Sequence, residues 1–282
     1  MQVVTTVAEI RAAVQEAKQQ GKRVGFVPTM GNLHDGHIQL VHQANQTSDF
    51  VVSSIFVNPL QFGAGEDLEK YPRTLQEDIQ KLTEAKCDLL FAPTESEVYP
   101  HGREAQTEVE VPGISDLHCG ASRPGHFRGV ATVVCKLFGI VQPDTAVFGE
   151  KDFQQLRVIR RMTEDLCIPV EIQGSPIARA QSGLALSSRN GYLTAEEKDI
   201  AAQLFATLTD IKSRILAGNK NFADLAEEAL TSLEAVGFKR DYFAICNQAD
   251  LTAATPDDND LVILAAAYLG KARLIDNVAF SI

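Results

Sequence analysis

Positive charge is scarce in this chain of 282 residues: 26 Lys and Arg stand against 37 Asp and Glu, a formal net charge of −11. A long-range basic field for nucleic acid or an anionic membrane is missing, so any anionic ligand has to be captured by local groups. Long apolar runs are missing too. The longest, Leu261 to Leu269, reaches under half of the ~20 residues a membrane helix needs. Glu9 and Arg11 sit in an amphipathic N-terminal pattern, unlike the continuous apolar stretch of a signal peptide, so the expected location is the cytoplasm. The cysteines, Cys87, Cys119, Cys135, Cys167 and Cys246, contain no C-x-x-C pair, and their odd number suits reduced, mostly structural thiols. Internal repeats, low-complexity tracts and long blocks of like charge are absent. So are the two commonest nucleotide cradles, G-x-x-x-x-G-K-[ST] and G-x-G-x-x-G.

What is present is ordinary globular composition, 45% hydrophobic and 22% charged, over a length that suits two domains or one large one. Thr6-x-x-Glu9 is a capping box ahead of Val7, Ile10, Val14 and Ala17, and predicts an opening helix that stops at Gly21. Strand patterns follow at Arg23 to Val27, Phe50 to Val57, Asp88 to Ala92, Thr145 to Phe148 and Ile168 to Ile172, with a further one at Thr107 to Val111. Between them lie helical spacings at Ile38 to Ala44, at Leu75 to Leu82 behind a Thr74-x-x-Glu77 cap, at Val130 to Val141, and behind Asp152-x-x-Gln155. Apolar strands alternating with helices predict a doubly wound parallel sheet, an α/β, Rossmann-like fold. Beyond Pro176 the pattern changes to helices, capped at Thr194-x-x-Glu197 and near Asn221, and then strands at Asp241 to Cys246, Leu261 to Leu269 and Ala272 to Ile275. That order predicts a smaller α+β domain, giving units of 1–175 and 176–282.

In open α/β sheets ligands bind beyond the carboxyl ends of the strands, so the loops after each strand carry the information. The first strand runs into Pro28-Thr29-Met30-Gly31-Asn32-Leu33-His34-Asp35-Gly36-His37. Two histidines at a helix start, where free N–H groups and a positive dipole end gather, suit a triphosphate; a metal site or a local structural role stays open. The second strand ends in Asn58-Pro59-Leu60-Gln61-Phe62-Gly63-Ala64-Gly65, which reads either as a lid or as an ordinary turn. The fourth ends in Phe148-Gly149-Glu150-Lys151-Asp152-Phe153-Gln154-Gln155, where Lys151 either meets a phosphate or belongs to a solvated charge run. Leu186-Ser187-Ser188-Arg189-Asn190 offers two hydroxyls and a guanidinium as an anion clamp, or is a plain loop.

Together, PTMGNLHDGH, SIFVNPLQF, EDLEKYPRTLQED, RPGHFRGV, FGEKDFQQL and GLALSSRNGYL resemble the pantothenate synthetase (pantoate:β-alanine ligase) family of nucleotidyl transferases with a His-x-Gly-His signature. The resemblance covers essentially the whole chain. It implies condensation of pantoate with β-alanine through a pantoyl adenylate, with ATP consumed and pyrophosphate and AMP released. It implies that Met30, Gly31, Asn32, Leu33, His34, Asp35, Gly36 and His37 hold ATP together with Gly149, Glu150, Lys151, Asp152, Ala178, Leu186, Ser187, Ser188 and Arg189. Where this chain has Ala178 the family often has a larger aliphatic. Gln61 and Gln155, with Pro28 and Met30, are implied to hold pantoate, Gln61 lying near the incoming β-alanine, and Gly63 to Lys70 matches a mobile loop over that pocket. His34, His37, Lys151 and Arg189 are the expected catalytic groups, magnesium is expected to arrive with ATP, and Asp78 is a candidate for a water-mediated contact to it. The family also implies a homodimer. The alternative is a relative that transfers AMP to a phosphorylated substrate and stops there.

Overall fold

The structure, a computed structural model of the chain, describes residues 1–63, 66 and 68–282. Strands β1 (Gln2–Val4), β2 (Val24–Thr29), β3 (Phe50–Ile55), β4 (Leu89–Phe91), β5 (Thr145–Gly149) and β6 (Glu171–Ser175) form one parallel sheet in the order β1-β4-β3-β2-β5-β6. The chain builds outward from β2 through β3, then returns to the other side of β2 with β5. That reversal opens a crevice at the carboxyl ends of β2 and β5.

The sheet is accompanied by α1 (Val7–Gln19), α2 (Asp35–Thr47), α3 (Leu75–Glu84), α4 (Glu95–Val98), α5 (Cys119–Ser122), α6 (His126–Val141) and α7 (Phe153–Asp165). Strand alternation sends Phe26, Val52, Leu89, Phe91 and Phe148 to the face where α1, α6 and α7 bury Ile10, Val130, Leu137, Leu156 and Ile159. The opposite face sends Val27, Val51, Leu90 and Val147 against Leu40, Val41 and Leu82 of α2 and α3. Each such fully buried side chain stabilises the fold by roughly 1.5–3 kcal/mol relative to exposure.

The remaining chain supplies α8 (Ala195–Ala201), α9 (Gln203–Leu216) and α10 (Phe222–Ala235), then the antiparallel sheet β7 (Lys239–Asn247), β8 (Asp260–Leu269) and β9 (Ala272–Ser281). The helices cover one face, Leu208, Ile211, Leu225 and Leu233 meeting Phe243, Leu261 and Ile263. On the other face Cys246, Val262 and Leu264 pack on Phe153 at the head of α7. Both faces of β8 are therefore covered, which is why its sequence is the longest apolar run in the chain.

The capping boxes at Thr6 and Thr194 form. Thr74, Asp152 and Asn221 make no side-chain cap; the Thr74 hydroxyl turns instead to Asp78, at 3.2 Å. Thr107 to Val111 is not a strand: Val109 N–H is satisfied by the Thr132 hydroxyl of α6 at 2.9 Å, so the segment lies against a helix with no strand edge to join. The last strand of the sheet begins at Glu171, not Ile168, because Pro169 carries no N–H to enter a ladder. β1 is too short to announce itself and is held by its pairing with β4 and by Val4 in the core. The five cysteines are free, and burial pushes the thiols of Cys87 and Cys246 up to about 12.

Candidate active site

Beyond β2 the chain turns through Gly31 and Asn32, both with left-handed backbone (φ 82° and 51°). Asp78, 1% exposed on α3, accepts the N–H of Asn32 at 2.9 Å and of Leu33 at 2.8 Å. Its oxygens hold this loop from behind, and the expected water-mediated contact of Asp78 to magnesium is untouched by that role. Lys81, one turn further along α3, donates to the Leu33 carbonyl at 2.6 Å.

The loop delivers His34 to the N-cap of α2. His34 Nδ1 accepts the Gly36 N–H at 3.1 Å, and His37 Nδ1 accepts the His34 N–H at 3.3 Å. A ring nitrogen that accepts carries no proton, so both neutral imidazoles hold their proton on Nε2 and present it as a donor. Gly36 is required between them: a Cβ there would stand 2.9 Å from His34 Cε1. Burial, reinforced by the Lys151 ammonium, holds His34 down to about 4, and burial with the neighbouring His34 holds His37 down to about 3. His126 is likewise lowered to about 4 by burial and Arg123.

These three depressed values have a consequence for stability. Each folded-state value lies below the ordinary 6.5, so below that pH the unfolded chain takes up protons that the folded chain refuses. Stability is full above pH 6.5 and is lost as the pH falls from there toward 4. The urea midpoint is expected to drop between pH 7 and pH 5, and to drop less in His126→Gln. An equal midpoint at both pH values for the unsubstituted chain contradicts this.

Gln61 sits on a one-turn 3-10 helix, Pro59–Gln61, after β3. Its Oε1 accepts from Asn58 at 3.1 Å, and its Nε2 faces the Met30 sulfur at 2.9 Å. Asn58, 1% exposed, also donates to the Gly129 carbonyl and accepts the Tyr99 hydroxyl. Arg123 and His126 both donate to the Gln61 carbonyl, at 3.2 and 2.8 Å, and Arg123 is paired with both oxygens of Glu66. Asn58, Tyr99, Arg123 and His126 carry no periodicity or spacing that marks them as supports for Gln61; their buried hydrogen bonds reveal them. Of the expected Gly63 to Lys70 loop, Ala64, Gly65 and Asp67 lie outside the described residues.

A cavity of about 240 Å³ joins these parts. Its wall includes Pro28, Met30, His34, Gly36 and His37 from the first loop, Gln61 from the second, and Gly149, Lys151, Asp152 and Gln155 after β5. Ala178, Leu186, Ser187, Ser188 and Arg189 complete it. Gly31, Asn32, Leu33, Asp35 and Glu150 are not on the wall; the first three shape the loop behind it. Ser187 Oγ accepts the Arg189 N–H at 3.2 Å and so caps the short turn that carries the guanidinium. A larger space of about 640 Å³ adjoins, sharing Lys151, Gln155 and Arg189 and extending to β8 and β9. Among the described residues, no group of three His, Cys, Asp or Glu is placed to hold a metal ion, and no helix is long and apolar enough to cross a membrane.

The model of the family described as Pantoate-beta-alanine ligase matches residues 2–279. This chain belongs to that family. A pantothenate synthetase of Pseudomonas fluorescens is 60% identical over 278 residues, covering 99% of this chain and 98% of the relative. The crystal structure of pantothenate synthetase from Thermus thermophilus superimposes with a TM-score of 0.92 at 48% identity, covering 99% of both chains. The pantoate-β-alanine ligase of Francisella tularensis, whose crystal structure is complexed with beta-gamma ATP and β-alanine, does so at 0.82 and 37% identity, over 99% of this chain and 97% of that one. The chain is accordingly a pantoate-β-alanine ligase in sequence and fold, and the reading as an AMP transferase that stops at a phosphorylated acceptor gives way.

Proposed function

We propose that the ligation runs as two half-reactions in the 240 Å³ cavity. In the first, the pantoate carboxylate attacks the α-phosphorus of ATP and the bond from that phosphorus to the departing pyrophosphate breaks. In the second, the amine of β-alanine attacks the acyl carbon of the pantoyl adenylate, the bond from that carbon to AMP breaks, and the amine loses a proton. The observation that carries this reading is the meeting on one wall of His34, His37, Lys151 and Arg189 with the neutral amides of Gln61 and Gln155.

Charge builds on the non-bridging oxygens and on the pyrophosphate as the attack proceeds, so N–H donors and cations are needed and a covalent nucleophile is not. His34, His37, Lys151 and Arg189 take that role. The segments Met30 to His37, Gly149 to Asp152, Ala178 and Leu186 to Arg189 form the nucleotide side, and Pro28, Met30, Gln61 and Gln155 the pantoate side. A neutral amide suits the carboxylate because an arginine would pair with it and blunt its attack. The Francisella relative in complex with beta-gamma ATP and β-alanine supports ATP as the co-substrate. Magnesium arrives with ATP on its phosphates in this reading, and no step above is routed through it. A division near residue 175, with the smaller part closing over the cavity to exclude water, a homodimer and a cytoplasmic location belong to the same reading.

The test is pyrophosphate release from Mg-ATP and pantoate, with and without β-alanine, with products followed by mass. Pantoate-dependent pyrophosphate, with pantothenate and AMP appearing once β-alanine is added, is the expected result. Pyrophosphate that needs a phosphorylated acceptor, or none at all, overturns the reading.

A further inference from the structure

Lys151 is carried on a single 3-10 turn, Glu150–Asp152, between β5 and α7, and no side chain caps that turn from within. Its support comes from the other sheet. Asn277 on β9 donates through Nδ2 to the carbonyls of Glu150 at 2.9 Å and Lys151 at 3.0 Å. Asn277 is 4% exposed, on the wall of the 640 Å³ space, and two carbonyl acceptors fix which end of the amide faces the turn.

The preceding residue works on a second segment. Asp276, equally buried, pairs with both terminal guanidinium nitrogens of Arg179 at 2.6 and 2.9 Å, and its Oδ1 accepts the Asn277 N–H at 2.8 Å. Arg179 lies over the Phe205 ring at 3.6 Å, and its neighbour Ala178 accepts the Leu186 N–H at 2.9 Å. Two consecutive side chains of β9 therefore hold two cavity-lining segments that are far apart in sequence.

We propose that Asn277 is a positioning residue for Lys151: by clamping the turn's carbonyls it sets where the ammonium stands against the phosphates, so the three-stranded sheet tunes adenylation without touching substrate. This rests on the reading of Lys151 given above. The amide is the side chain the geometry demands, since an aspartate would set oxygen against two carbonyl oxygens, and alanine removes both donors that hold the turn. The turn then relaxes, and a displacement of about 1 Å at a reacting centre costs on the order of 100-fold in rate.

The experiment is a double-mutant cycle read by pantoate-dependent ATP–pyrophosphate exchange, with far-UV circular dichroism on every variant. Asn277→Ala is expected to lower exchange about 10- to 100-fold, and Asn277→Ala with Lys151→Ala to fall no further than Lys151→Ala alone, because the two act through one group. Losses that multiply in the double variant, or wild-type exchange in Asn277→Ala beside a slow Lys151→Ala, overturn the inference while leaving the role of Lys151 intact. Wild-type exchange in Lys151→Ala overturns the role of Lys151 itself, and the inference with it. Should Asn277→Ala fail to fold, Asn277→Ser, which keeps one donor, takes its place in the same cycle with a smaller loss and the same non-additivity.

Discussion

His37→Ala is expected to lower pantoate-dependent pyrophosphate exchange by about 10²- to 10³-fold, the usual loss when one donor to a developing charge is removed. In the proposed mechanism its ring is a neutral donor: Nδ1 is occupied by the His34 N–H at 3.3 Å, and burial holds the ring's pKa down to about 3. Proton transfer near neutral pH is therefore not expected of it. Two results separate these roles. His37→Gln, which carries N–H groups at a similar reach, recovers part of the exchange, and the pH–rate profile of the unsubstituted enzyme shows no limb between pH 6 and 8 that disappears with His37. A glutamine variant as slow as alanine, together with a limb that does disappear, marks His37 as an acid or base and contradicts the donor assignment.

The second large effect concerns two glycines of one helix. A Cβ on Gly129 of α6 would stand 2.8 Å from Gln61 N and closer still to the Leu60 carbonyl, all of it backbone that cannot swing aside. Gly139, ten residues along the same helix, has nothing within 4 Å of its Cβ position. Alanine is the better helix former by about 1 kcal/mol, so the same substitution should change sign along α6. Gly139→Ala is expected to stabilise by about 0.5–1 kcal/mol. Gly129→Ala is expected to destabilise by about 1–3 kcal/mol and to raise the KM for pantoate several-fold, since the helix must back away from the Gln61 turn that it helps to hold through Asn58. Urea titrations of both variants with steady-state kinetics decide it; a Gly129→Ala protein as stable as Gly139→Ala, with unchanged pantoate KM, shows that the contact is not needed.

The sheet was legible because its strands are local, apolar and each followed by a helix of clear period, as in Val24 to Val27 and Val51 to Ser54. The site loops were legible because a sheet of this kind gathers the ends of its strands in one place, and His34, His37, Gln61, Lys151 and Gln155 all stand at such ends. What escaped were groups whose meaning depends on contacts remote in sequence. Asn58 reads as a turn residue until Tyr99 and Gly129 are seen around it. Asp78 reads as one carboxylate in the first turn of a helix until the Asn32 and Leu33 amides are seen pointing at it. The polar residues Gln173 to Ser175 of the last strand lay beyond the expected Ile168 to Ile172, and the three residues of β1 gave no pattern, because neighbouring backbone, not side-chain period, makes them strands.

His34 occupies the position from which a helix receives its first hydrogen bond, a place where Ser, Asp or Asn would serve folding better. The imidazole there is doing two jobs with its two nitrogens, one closing the helix start and one facing the cavity. Asparagine at position 34 is therefore expected to firm the helix start while giving up the ring nitrogen proposed for the phosphates. A firmer helix start at this spot would weaken the proposed site, so a sturdier variant of this chain has to gain its stability elsewhere, away from the crevice.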